Sequence, residues 1–76
     1  MRENIFDDGD VSVFKDGARY FVRYDAGSHQ IEMREDEISA DEASKIIASP
    51  QGINDVLFAI QRKLQAAGLN PYKSNI

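Results

Sequence analysis

The chain contains no cysteine and no tryptophan, and its 76 residues include a single histidine and two prolines. Without cysteine there is no disulfide to staple a small fold and no thiolate metal site. The lack of cysteine fits a reducing compartment. No segment approaches the roughly 20 consecutive apolar residues of a membrane span. The opening residues, Met-Arg-Glu-Asn-Ile-Phe-Asp-Asp, lack the apolar run of a signal peptide. These features predict a soluble, cytoplasmic protein. Catalytic and cofactor motifs are also missing. The glycines form neither G-x-G-x-x-G nor a phosphate-binding Walker loop. His29 is the only imidazole and reads as a turn residue, and no serine stands in a pattern that pairs it with His29. Of Glu32, Glu35 and Glu37 at least two can line one strand face, but a carboxylate pair without a cleft has no chemistry to perform. Asp7-Asp8-Gly9-Asp10 lacks the spaced ligands and terminal Glu of an EF-hand and reads as a turn. The expectation is a protein that is not an enzyme and has no catalytic residue, no metal and no small-molecule cofactor.

What is present is a β-rich stretch from Val11 to Met33. Val-Ser-Val-Phe-Lys is followed by Asp16-Gly17, then Ala-Arg-Tyr-Phe-Val-Arg-Tyr, then Asp25-Ala26-Gly27-Ser28, then His-Gln-Ile-Glu-Met. Runs of this composition separated by glycine turns predict a three-stranded antiparallel meander. An Asp16-Gly17 type I′ turn would pair Phe14 with Arg19 and Val13 with Tyr20. Side chains alternate between the faces of a strand, so Val11, Val13, Tyr20, Val22 and Tyr24 share one face. A short second turn would set Tyr24 opposite His29, Val22 opposite Ile31 and Tyr20 opposite Met33. That register puts Ile31 and Met33 on the Val/Tyr face, which is then the core side. The outer side would show Phe14, Phe21, Arg19, Arg23, Arg34, Gln30 and Glu32.

Residues 1–9 read as a loosely held arm, residues 10–35 as the meander, residues 39–68 as two helices and residues 69–76 as a tail that is loosely held from Tyr72 onward. Ser39 as N-cap with Glu42 at N3 forms a capping box, with Ile38 stapled against Ala43. Ala43, Ile46 and Ile47 would face the sheet. Ser49 followed by Pro50 is a favoured second start, in competition with Asn54. Val56, Leu57, Ile60 and Leu64 repeat at helical spacing, and Gly68-Leu69 predicts a Schellman ending before Pro71. The whole reads as one α+β domain, ordered β-β-β-α-α, with both helices on one face of the sheet.

Function is expected at surfaces. The net charge is −4, which lowers the prospect of non-specific nucleic-acid binding. The acids of residues 35–49 have a structural explanation in strand exit and helix capping. The outer sheet face combines aromatics with arginines. Those residue types are enriched in protein–protein hot spots, and they can also stack single-stranded bases. Phe58 lies off the apolar face of its helix and forms a second candidate anchor. The predicted function is a small binding module, an adaptor, inhibitor or regulatory subunit. It would use Phe14, Arg19, Phe21, Arg23, Arg34 and Phe58 toward a protein partner or a second copy of the chain. Nucleic acid on the Phe/Arg face is the alternative. The uncovered edge strands are a further route to pairing.

Overall fold

A computed structural model describes residues 2–27 and 30–76. Its elements run β1 (Arg2–Asp7), β2 (Val11–Asp16), β3 (Arg19–Asp25), β4 (Met33–Ile38), α1 (Ala40–Ala48) and α2 (Pro50–Ala66). The class is α+β as expected, but the sheet has four strands, in the antiparallel order β1-β2-β3-β4. The additional strand is the segment expected to be a loose arm. Ile5 and Phe6 supply its reason to fold, since both pack against the core across a register break between Asn4 and Phe6. Such a bulge sets two residues of one strand against one of its neighbour. The Asp7–Asp10 turn therefore joins two strands. Its side chains close it: Asp7 Oδ1 accepts from the Gly9 N–H, and Asp8 Oδ1 accepts from the N–H groups of Asp10 and Val11. These bonds, that from Val11 first, hold the Asp8 carboxyl below its ordinary value.

The β2–β3 hairpin turns at Gly17-Ala18, with Asp16 opposite Arg19, Phe14 opposite Phe21 and Val13 opposite Val22. A type I′ turn on Asp16-Gly17 would need positive φ at Asp16, whereas only Gly17 adopts it (62°). Moving the turn by one residue changes each partner by two positions, so the face assignments survive. The β3–β4 register does not survive. Tyr24 pairs with Arg34, Val22 with Asp36 and Tyr20 with Ile38. The third run starts at Met33, after a connection over residues 26–32. Asp25 Oδ1 closes that connection by accepting from the N–H groups of Gly27 and Glu32. Ile31 is 76% exposed and Met33 lies opposite Asp25, so neither is the expected core residue. Ile38 fills that role. The expected turn roles of Ser28 and His29 fall outside the described residues.

Val11, Val13, Val22, Tyr24 and Ile38 form the sheet side of the core, and Ala43, Ile46, Val56 and Ile60 close it from the two helices. Each fully buried aliphatic side chain contributes about 1.5–3 kcal/mol of transfer free energy. The Ser39 capping box is complete, with Ser39 Oγ accepting from the Glu42 N–H and Glu42 Oε1 accepting from the Ser39 N–H. Ser49, rather than Asn54, caps α2 by accepting from the Gly52 N–H. The Leu69 N–H donates to the Leu64 carbonyl, the Gly68 N–H donates to the Gln65 carbonyl, and Gly68 sits at φ 78°, which is the Schellman geometry. Ile47 is nearly half exposed and turns away from the sheet it was expected to cover.

Gly52 marks the tight crossing between the helices. A Cβ at this position would stand 1.9 Å from the Lys45 carbonyl oxygen, which is backbone and cannot swing aside. Replacing Gly52 with Ala should therefore cost about 3 kcal/mol, the upper range for overpacking. Urea unfolding followed by circular dichroism measures this, and an unchanged midpoint would contradict the crossing.

Candidate functional site

The outer face of the sheet is built from β1 to β4 together. β2 supplies Phe14, β3 supplies Arg19, Phe21 and Arg23, and β4 supplies Glu35 and Glu37, with Phe21 opposite Glu37 and Arg23 opposite Glu35. Phe14 and Phe21 are direct cross-strand neighbours and both are partly exposed. Three arginines lie over them. The Arg2 guanidinium stands 4.5 Å from the centre of the Phe14 ring and 5.2 Å from that of Phe21. Arg19 lies 5.2 Å from Phe21, and Arg23 lies 5.5 Å from Phe14. These distances are within cation–π range. Arg19, expected opposite Phe14, lies over Phe21 instead, and Phe14 takes Arg2 and Arg23.

The same arginines are paired with acids. Arg2 and Arg23 both reach Glu35, Arg23 at 3.3 Å. Arg19 grips Glu37 through two bonds, Nε at 3.2 Å and Nη2 at 2.9 Å. The Arg19 hydrogen bond holds the Glu37 carboxyl below its ordinary value and raises the Arg19 guanidinium in return. The surface thus alternates guanidinium and carboxylate over an aromatic pair. One donor is left over, because Arg23 Nε is buried without a hydrogen-bond partner.

Arg34 does not belong to this face. The shifted β3–β4 register turns it to the core side, opposite Tyr24, where the residue is buried. There it donates through Nε and Nη2 to the two oxygens of Asp36, at 3.3 and 3.0 Å. Tyr24 donates its hydroxyl to the same carboxylate at 2.7 Å. Burial, and then the Asp36 bond, push the Tyr24 phenol well above its ordinary value. Arg34 also donates to the Lys73 carbonyl at 2.7 Å and so pins the chain after α2 to the sheet.

Phe58 projects from α2 and is 59% exposed. The helices cover the opposite side of the sheet, so Phe58 cannot share one contact surface with Phe14 and Phe21. Arg2 is the residue that sequence reasoning missed. The signal for it was Ile5-Phe6 ahead of a glycine turn, a short apolar run with a strand to pair with. A groove of about 320 Å³ also runs between β4 and α2, where Asp36, Glu37, Glu42 and Lys63 edge Ile60 and Leu64. Among the described residues, no group of three His, Cys, Asp or Glu side chains is placed to hold a metal ion. No helix among them is long and apolar enough to cross a membrane. Comparison with family models, with curated proteins and with solved structures found no match to this chain.

The two kinds of arginine should respond differently to truncation. Arg34→Ala leaves the Asp36 carboxylate in a largely buried place without its cation, a loss of about 3 kcal/mol. Arg19→Ala removes an exposed pair and should cost less than about 1 kcal/mol. Chemical denaturation of both variants checks the contrast, and equal losses would contradict the two environments.

Proposed function

We propose that this chain is a small non-enzymatic protein-binding module that acts through the outer face of its sheet, toward a partner protein or a second copy of itself. The observation that carries this reading is the Phe14–Phe21 pair, left partly exposed beneath Arg2, Arg19 and Arg23. Aromatic and arginine side chains combine large contact area with directional hydrogen bonding, and they dominate protein–protein hot spots. A sheet face holds them on a rigid frame, so little conformational freedom is lost when a partner arrives.

Charge balance favours protein over nucleic acid. Binding to a phosphate backbone needs cations free to replace counterions. Here Glu35 and Glu37 already occupy Arg2, Arg19 and Arg23. An incoming strand of phosphates would meet carboxylates beside every guanidinium. A protein surface with its own mixed charges can exchange these pairs one for one, and that exchange sets orientation as well as affinity.

A photo-crosslinking amino acid placed at Phe21 tests the reading in cells, with the same group at Phe58 and at the exposed helix position Ser44 for comparison. Position 21 should give a discrete protein adduct, either with a partner or with the chain itself, and position 44 should not. Equal labelling from positions 21 and 44, or adducts made mainly with nucleic acid, would overturn it.

A further inference from the structure

The segment after α2 occupies the outer edge of β4. The Glu35 N–H donates to Asn75 Oδ1 at 2.8 Å, and Asn75 Nδ2 donates to the Glu35 carbonyl at 2.8 Å. Two residues in a hydrogen-bonded antiparallel pair exchange the same two bonds through their backbones. The Asn75 side-chain amide therefore stands where the peptide groups of a fifth strand would stand. Neighbouring contacts hold it there. Arg34 donates to the Lys73 carbonyl at 2.7 Å, the Ser74 N–H donates to Glu32 Oε2 at 3.1 Å, and Pro71 is buried. The Asn75 and Ser74 hydrogen bonds are exposed, so water competes for each of them.

We infer that the β4 edge is a strand-pairing site, kept closed by residues 73–75, and that its occupant when the strap leaves is β1 of a second copy of this chain. This site is separate from the outer face and does not depend on its function. Three observations select β1. First, it is the other edge of the sheet, and among the described residues no backbone hydrogen bond joins its free side to another segment. Second, its direction is correct. In an antiparallel four-strand meander β1 runs opposite to β4, so a second copy placed alongside sets its β1 antiparallel to β4 with the helices of both copies on the same side. Third, β4 cannot readily pair with its own copy, because Glu35, Asp36 and Glu37 would meet the same acids across the ladder. β1 is the less acidic edge, with Arg2 against Glu3 and Asp7 and the neutral Asn4, Ile5 and Phe6 between those two acids. Such a contact is head-to-tail and leaves a β1 edge and a β4 edge free at the two ends, so further copies can add. The strap is then a safeguard that stops the sheet extending from one molecule to the next.

The test uses the full chain with Asn75→Ala and Asn75→Asp. The first removes both bonds, and the second replaces the donor with an acceptor facing the Glu35 carbonyl. At concentrations that keep the Asn75→Ala chain monomeric, hydrogen exchange at the Glu35 amide should accelerate about fivefold, the worth of one net hydrogen bond. Sedimentation equilibrium should show mass rising with concentration past the dimer with no plateau. Adding Glu35→Pro should abolish the growth, because the Glu35 N–H points to the free edge and its loss spares the β3 ladder, whereas adding Glu35→Ala, which removes the same carboxylate from the outer face but keeps the N–H, should leave the growth in place. Variants that keep the wild-type mass throughout the concentration range would overturn the inference. So would a plateau at dimer, which marks a two-fold contact, or growth that survives Glu35→Pro.

Discussion

Arg34 and Asp36 stand two residues apart on β4, on the same face of the sheet, with Tyr24 and Val22 opposite them on β3. The guanidinium holds both oxygens of the carboxylate, and the tyrosine hydroxyl adds a bond to one of them. Buried charge is tolerated only where its partners are in place, so this cluster admits one register and penalises others. The remaining features follow from that register. It sends Ile38 into the core at the end of β4, where it can staple the start of α1. It also sends Glu35 and Glu37 to the outer face, among the arginines of β3 and β1. And it aims the remaining Arg34 nitrogen, Nη1, at the Lys73 carbonyl, which lays the chain after α2 along the β4 edge.

Several elements were legible in the sequence because local chemistry decides them. Ser39 with Glu42, Ser49 with Pro50, and Gly68 with Leu69 each satisfy helix-end groups within a few residues, and they do so in the structure as the pattern implies. The faces of β2 and β3 were legible too, since a turn moved by one residue preserves alternation. The β3–β4 register was not. The alternation rule rewards apolar residues on the core side, and it chose Ile31 and Met33 over a stretch that reads Arg-Glu-Asp-Glu. The stretch that pairs with β3 is the charged one, because Arg34 and Asp36 neutralise each other and Tyr24 completes their bonding. No hydropathy pattern announces such a pair. β1 was hidden for a related reason: its bulge breaks the alternation that would have marked Ile5 and Phe6 as part of a strand.

The candidate site divides along the same line. Phe14, Phe21, Arg19 and Arg23 share the outer face because their parity was right. Arg34 left it when the register moved, and Arg2 joined it when the arm became a strand. The result differs in character from a basic aromatic stripe. Every arginine on it has an acid within reach, and the acids come from the strand that was misregistered. A face of this kind suits partners that offer both signs of charge around an apolar contact.

The β3–β4 register is best tested by proton NMR on the isotope-labelled wild-type chain. Glu35 spends its backbone groups on the outer edge, so its pairing with Arg23 is of the closely spaced, non-hydrogen-bonded kind. The account predicts a strong Hα–Hα contact between Arg23 and Glu35, together with one between Phe21 and Glu37. A contact between Val22 and Ile31 in their place would contradict it, and would return Arg34 to the outer face.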